Sequence, residues 1–247
     1  MSELLHSTFP TNAEGFLNGA LLLIDKPLNW TSFDVVNKVR GTLKARLNVK
    51  KIKVGHAGTL DPLATGLLLI CTGKWTKKID SLQGMPKQYT GSLKLGATTP
   101  SYDAETEEDT TFDVSGLTPE MIKSATEKFT GQIEQVPPMY SALKKDGVPL
   151  YKLAREGQTI ARKARTVTID TFDITSIEMP IVHFLVNCTK GTYIRSLAHD
   201  LGSSLDNGGY LTSLVRTKIG VYDVKDALSV EEVIKGIENC KRKNNDK

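Results

Sequence analysis

The sequence has little of what staples secreted domains, holds metals or crosses membranes. Three cysteines in 247 residues, Cys71, Cys188 and Cys240, are odd in number, far apart and without a C-x-x-C spacing. They point to neither a disulfide framework nor a zinc site and fit a reducing compartment. Only four histidines are present, none at a spacing that suggests a metal ligand set or a Ser/His/Asp arrangement. A glycine-rich phosphate loop is missing as well, so no cofactor is implied. The longest apolar runs, Ala20–Ile24 and Leu67–Ile70, fall far short of the ~20 residues a membrane helix needs. The N-terminus lacks the basic-then-apolar pattern of a secretion signal. The expectation is a soluble, cytoplasmic protein that makes no use of a membrane.

What is there is enough to fold. Hydrophobic residues make up 39% and charged residues 24%, without extended Pro/Ser/Gly tracts or internal repeats, so a single large α/β or α+β domain is the default. A net charge of +4 is too small to establish nucleic-acid binding. Its distribution says more. Between Lys44 and Lys78 eight Lys/Arg face the single acid Asp61; between Val136 and Arg165 seven face Asp146 and Glu156. Asp103, Glu105, Glu107, Glu108, Asp109 and Asp113 form an opposing acidic stretch. Such segregation makes a polyanion partner plausible, although basic runs are also ordinary solvated faces.

Along the chain, residues 1–18 read as an N-terminal arm. Ala20–Ile24 reads as a buried strand ended by Asp25-Lys26-Pro27. Thr31, with Asp34 three residues on, starts a helix to about Arg46, with Phe33, Val36, Val39 and Leu43 on one face. The segment from Gly55 to Gly66 carries three glycines and a proline and reads as a structured loop. Leu67–Cys71 is apolar, and Tyr89, Gly91, Leu93 and Leu95 alternate as in a strand. The acidic segment reads as an exposed excursion. Thr118-Pro119-Glu120 opens a helix that Gly131 ends. The stretch 136–165, basic and with Pro137, Pro138 and Pro149, reads as a projecting loop with Met139, Tyr140 and Tyr151 as contact candidates and a turn at Asp146-Gly147. Strands are expected over 166–174, 181–188 and 211–221. Thr192 is expected to cap a helix with Arg195 in its first turn and Ile194, Leu197, Ala198, Leu201 and Leu205 on its apolar face; Ser229 is expected to cap a last one. Strands outnumber helices and do not alternate with them regularly. The fold class is therefore α+β, with a mixed, mostly antiparallel central sheet flanked by helices.

Asp61 is the residue that asks for a chemical explanation. A carboxylate in a Gly/Pro-bounded loop between basic segments repels the phosphate its surroundings attract. Asp-Pro is also a common turn starter, and the loop alone leaves both readings open.

The segment GHAGTLDPLATGLL, Gly55–Leu68, resembles the motif that carries the catalytic aspartate in the TruB family of bacterial tRNA pseudouridine synthases. LLIDKPLNWTS (Leu22–Ser32) is similar to the family's N-terminal motif and Lys87-Gln88-Tyr89 to its K-x-Y element. EQVPPMYSALK (Glu134–Lys144) is similar to its RNA-contacting insertion and KGTYIR (Lys190–Arg195) to its arginine motif. The resemblance runs from about Gly19 to Val233. It implies the pseudouridine synthase fold and isomerisation of the uridine at position 55 in the T-loop of tRNA. Asp61 would be the catalytic carboxylate, Arg195 its partner and Tyr89 the residue stacking on the target base. His56 would stack within the T-loop, Tyr193 and Leu214 would line the pocket, and Lys144 and Lys145 would contact RNA; Lys26 either has a minor RNA role or, with Pro27, does no more than fix the turn. These roles have a physical warrant. A loop uridine must leave its stack before its glycosidic bond is reachable, and aromatic and apolar faces replace the stacking it loses. A carboxylate that must stay ionised in an enclosed pocket is served by an arginine.

The family pattern departs at the end. Many bacterial members continue into a C-terminal RNA-binding domain of the PUA type, whereas here a Lys/Arg/Asn-rich tail follows. The expectation is a catalytic domain over 19–247 with an RNA-binding insertion at about 136–165 and no PUA-type domain. It would act on the T-arm as a monomer, with no metal and without a guide RNA or protein partner. The competing reading is a tRNA-binding or tRNA-folding protein without catalysis, which fits the basic segments but gives Asp61 no purpose.

Overall fold

The computed structural model describes residues 9–10 and 12–240. Residues 1–8 and 11 of the expected arm, and the tail 241–247, lie outside the described residues. The chain divides into two compact units, Met1–Lys87 with Val215–Lys247, and Gln88–Leu214.

The first unit is organised around two strands that are apolar on both faces. Strand Leu21–Lys26 pairs antiparallel with strand Ala64–Thr72, which also pairs antiparallel with Val54–His56. Leu22, Ile24, Leu68 and Ile70 point to one side. There they meet Val35, Val36, Val39 and Leu43 of helix Ser32–Leu47 and Val230, Val233 and Ile237 of helix Val230–Asn239. Leu21, Leu23, Leu67, Leu69 and Cys71 point to the other side, against Leu82, Ile219 and Tyr222. Burial on both faces explains why these segments read as continuous apolar runs rather than as alternation. Strand Leu21–Lys26 also pairs in parallel with Leu228–Ser229. Ala13 and Phe16, within the segment read as an arm, are fully buried in the first cluster.

Both helices of this unit start as their sequences predict. Thr31 and Asp34 form a reciprocal capping box, as do Ser229 and Glu232; each satisfies amides that would otherwise lack partners. The expected apolar face needs one correction. Phe33 is exposed, with the Arg40 guanidinium 5.8 Å from its ring centre, and Val35 takes the inward place. Two turns of helical period put Val35, Val39 and Leu43 in line and leave Phe33 outside it.

The second unit contains the strand pair Arg165–Glu178 and Ile181–Cys188 and, on the other side of the former, Gly131–Gln135, all antiparallel. Val182, Phe184, Val186 and Cys188 alternate inward as expected, and Phe172 packs edge-on to Phe184 at 6.0 Å. Together with the helices this is the α+β class with a mixed, mostly antiparallel sheet.

Three local expectations in this unit are corrected. Helix Pro119–Glu127 stops before Gly131, which instead opens a strand at φ +91°. Helix Ile194–Ser204 has Tyr193 rather than Thr192 at its cap, because the Thr192 hydroxyl donates to the Thr189 carbonyl at 3.0 Å. The stretch 136–165 holds a small hairpin, Lys144–Lys145 with Val148–Pro149, and a helix, Leu150–Arg155. Asp146 and Gly147, both at positive φ, form its turn.

Candidate active site

Asp61 stands half-buried in the turn between strands Val54–His56 and Ala64–Thr72. Its carbonyl accepts from the Ala64 amide at 3.1 Å. The backbone on either side is held by groups from elsewhere in the first unit. Immediately before Asp61, the Ser32 hydroxyl accepts from the Leu60 amide at 2.8 Å and donates to the Leu60 carbonyl at 3.0 Å. Immediately after it, the Pro62 carbonyl accepts from the Asn29 amide at 2.9 Å and from Lys26 Nζ at 3.4 Å.

Lys26 is fully buried, and its ammonium also donates to the carbonyls of Pro27 at 2.9 Å and Trp30 at 2.6 Å. A buried cation is tolerated only when its donors are satisfied. Here three carbonyls do that, and the chain from Lys26 to Trp30 is folded around the ammonium. Burial pushes the Lys26 pKa down to about 8, against the opposing pull of Asp61 and with a further push from Arg216. From this position Lys26 organises the loop at Asp61.

Arg216 is likewise buried, with hydrogen bonds to the carbonyls of Gly58, Thr59 and Leu67. His56, at the end of the strand that leads into the loop, is partly buried. Burial first, then the nearby Arg216 charge, lower its pKa, with a backbone hydrogen bond to Gly58 opposing them. A neutral imidazole fits stacking rather than ion pairing.

In the second unit, Arg195 lies in the first turn of helix Ile194–Ser204 and is only 4% exposed. Its Nε is 3.5 Å from Asp103 Oδ2, and Nη1 donates to the Ser101 carbonyl at 3.3 Å. Asp103 is itself fixed. Its carboxylate accepts from the Glu105 amide at 3.0 Å, and its carbonyl accepts from the hydroxyls of Thr99 and Ser101 at 2.7 and 3.1 Å. The acidic stretch is therefore not simply an exposed excursion. Asp103 is buried against Arg195, Glu105 pairs with Arg155 at 2.6 Å, and Glu108 meets Lys94 at 2.6 Å and the Tyr210 hydroxyl at 2.7 Å. Distributing its charges among partners on different elements relieves their mutual repulsion.

Tyr193 is held at its backbone by the fully buried Gln135, whose amide accepts from the Tyr193 N–H at 2.8 Å and donates to its carbonyl at 3.0 Å. The Arg165 guanidinium lies 4.3 Å from the Tyr193 ring centre. Tyr89 and Leu214 are nearly buried, whereas Lys144 and Lys145 are exposed on their hairpin. Of the three contact candidates, Met139 and Tyr140 line a cavity of ≈ 410 Å³ with Tyr102, Arg162 and His199, and Tyr151 does not.

The structure thus gathers Lys26, His56 and Asp61 in the first unit, and places Arg195 beside Tyr193 in the second. Sequence reasoning gives no role to four residues that position them: Ser32, Arg216, Asp103 and Gln135. Two carry a usable signal. Ser32 ends the quoted LLIDKPLNWTS motif, and Arg216 occupies, two residues after Leu214, an inward position of an alternating strand, where a charge needs a reason. Among the described residues no group of three or more His, Cys, Asp or Glu could hold a metal ion, and no helix is long and apolar enough to cross a membrane.

Residues 44–194 match the family model described as TruB family pseudouridylate synthase (N terminal domain). The chain belongs to the TruB family. It is 56% identical over 218 residues to a tRNA pseudouridine synthase B of Flavobacterium johnsoniae, covering 88% of this chain and 95% of that one. It is 51% identical to the protein of that name from Phocaeicola vulgatus, with 87% and 92% covered. Among solved structures, a chain in a crystal structure of a Cbf5-Nop10-Gar1 complex superposes with a TM-score of 0.68 at 27% identity. That likeness covers 92% of this chain but spans only 56% of the solved one. The TruB assignment identifies the chain as a pseudouridine synthase, an isomerase.

Proposed function

We propose that this TruB-family chain converts the uridine at position 55 in the T-loop of tRNA to pseudouridine, with Asp61 as the reacting carboxylate. The observation that carries the reading is the support of one short loop. Ser32, Lys26 and Arg216 hold the backbone before and after a half-buried aspartate, which a simple turn does not need. Preorganisation of that kind is what a reacting group requires. The relatives named tRNA pseudouridine synthase B, matched over nearly their whole length, supply the substrate class.

The isomerisation breaks the bond between N1 and C1′, turns the uracil and joins C5 to C1′, with the C5 proton lost and a proton gained at N1, so that there is no net oxidation and no transfer to a second molecule. Asp61 meets the sugar or base of the flipped nucleotide. By the family resemblance Arg195, oriented by Asp103, is the cationic partner of the reacting carboxylate. Tyr89, Tyr193 and Leu214 offer aromatic and apolar faces to the extruded base, and His56 takes its place in the T-loop. Lys144 and Lys145 meet phosphate, and the enzyme works as a cytoplasmic monomer.

The test is to incubate the purified protein with an unmodified tRNA transcript and map pseudouridine by chemical modification and primer extension. A single stop one nucleotide 3′ of position 55 is expected. A transcript bound but unmodified would sink the catalytic reading and leave a tRNA-binding protein.

A further inference from the structure

We infer that Arg216 is a positioning residue for the isomerisation, acting through the loop that carries Asp61; this rests on the catalytic reading above. The geometry is specific. The buried guanidinium uses three of its nitrogens on three carbonyls: Nε on Leu67 at 2.8 Å, Nη1 on Thr59 at 3.1 Å and Nη2 on Gly58 at 3.2 Å. Gly58 and Thr59 lie just before Asp61, and Leu67 lies beyond it, inside strand Ala64–Thr72. One planar group thereby ties the descending arm of the loop to the strand into which its other arm runs.

The backbone is shaped for this contact. Gly66 adopts φ +99°, and a Cβ there would fall 2.5 Å from the Arg216 carbonyl oxygen and 2.9 Å from its amide. Only glycine lets strand Ala64–Thr72 come this close to the backbone that bears Arg216. Gly58, whose carbonyl meets the fork, adopts φ +102°, a conformation that favours glycine. A buried arginine is costly unless its donors are satisfied. If the sole need were to fill space, an apolar side chain would serve at least as well. The retained charge and fork make sense where the loop must be fixed to within a fraction of an ångström, the tolerance catalytic groups demand. Lysine cannot reproduce it, because a single ammonium does not reach three divergent carbonyls in one plane.

Arg216→Lys and Arg216→Met are compared with wild type in three measurements: melting temperature, tRNA affinity, and the single-turnover rate at saturating tRNA well below the melting transition. The expected result for Arg216→Lys is a rate reduced by roughly thirtyfold or more with affinity within about threefold, since the group touches neither RNA nor the reacting atoms. Arg216→Met, which restores apolar packing without the fork, should recover melting temperature better than it recovers rate. A rate within about twofold of wild type for a folded Arg216→Lys overturns the inference, as does a loss confined to affinity or one that tracks melting temperature across both variants. If wild type makes no pseudouridine while binding tRNA, the catalytic reading fails, and the inference fails with it for that separate reason.

Discussion

Ser32 grips the backbone of Leu60 in both directions, its hydroxyl accepting from the amide at 2.8 Å and donating to the carbonyl at 3.0 Å. Since Leu60 directly precedes Asp61, a side chain in the first turn of helix Ser32–Leu47 sets where the carboxylate begins. Ser32→Ala leaves a buried N–H and C=O without that partner, at a cost of about 1–3 kcal/mol for each group that stays unsatisfied. The expected outcome is a lower melting temperature and a kcat reduced about tenfold, with KM for tRNA nearly unchanged. Steady-state kinetics at a temperature where the variant is folded check this; an unchanged kcat would show that the loop holds its geometry without Ser32.

Asp103 and Arg195 form a buried pair, with side chains 7% and 5% exposed and 3.5 Å between Nε and Oδ2. Asp103→Asn keeps the shape but removes the charge that orients the guanidinium, so activity is expected to fall by about tenfold to a hundredfold. Arg195→Lys should lose more, because a point charge does not replace a planar fork. Asp61→Asn should abolish turnover while leaving tRNA binding and melting temperature nearly unchanged, since an amide cannot act as nucleophile or base. Pseudouridine formation measured on one tRNA preparation ranks the three. If Asp61→Asn retained activity within about tenfold of wild type, Asp61 would leave the mechanism.

Much of this was legible in the sequence where the signal is local. Capping residues at Thr31 and Ser229, inward alternation from Val182 to Cys188, and the apolar runs around Leu22 and Leu68 all encode their elements within a few residues. The Asp61 motif is equally local. What was hidden depends on separation in the chain: Ser32 meets Leu60 across 28 positions and Arg216 meets Gly58 across 158. A serine beside a helix cap and an arginine at an inward strand position are visible in the sequence, but only the fold brings them to the same loop. Phe33 misled for a different reason, since helical period ranks positions but does not say which of two adjacent stripes faces inward.

Lys26 offers a test through pH. Burial lowers its pKa to about 8 from an ordinary value of 10.5. Between those values the unfolded chain holds a proton on Lys26 that the folded chain has released, so this group makes stability rise with pH across that window. The full contribution is about 3 kcal/mol, complete only above the unfolded value. Lys26→Met lacks the titration. Wild-type urea midpoints should therefore climb relative to those of Lys26→Met between pH 7.5 and about 9.5, with the other titrating groups common to both. Parallel curves would mean that the ammonium is not enclosed as described.

Recognition of RNA should reside in exposed charge rather than in the buried residues. Lys144 and Lys145 stand side by side on the hairpin whose turn is Asp146-Gly147, both exposed, and neither is tied into the core. Contact with phosphate by such side chains releases condensed counterions, so log affinity falls linearly with log salt, and each lost contact flattens the slope by about 0.7–0.9. Replacing both lysines by alanine should weaken tRNA binding at low salt and reduce the magnitude of the slope by roughly one to two, without a change in melting temperature. The single-turnover rate at saturating tRNA should stay within about threefold of wild type, because no element that holds Asp61 or Arg195 is altered. Binding titrations over a range of potassium chloride concentrations, paired with that rate, separate the two effects. An unaltered slope would remove the hairpin from the interface, and a rate that fell with full occupancy would give it a part in the chemistry.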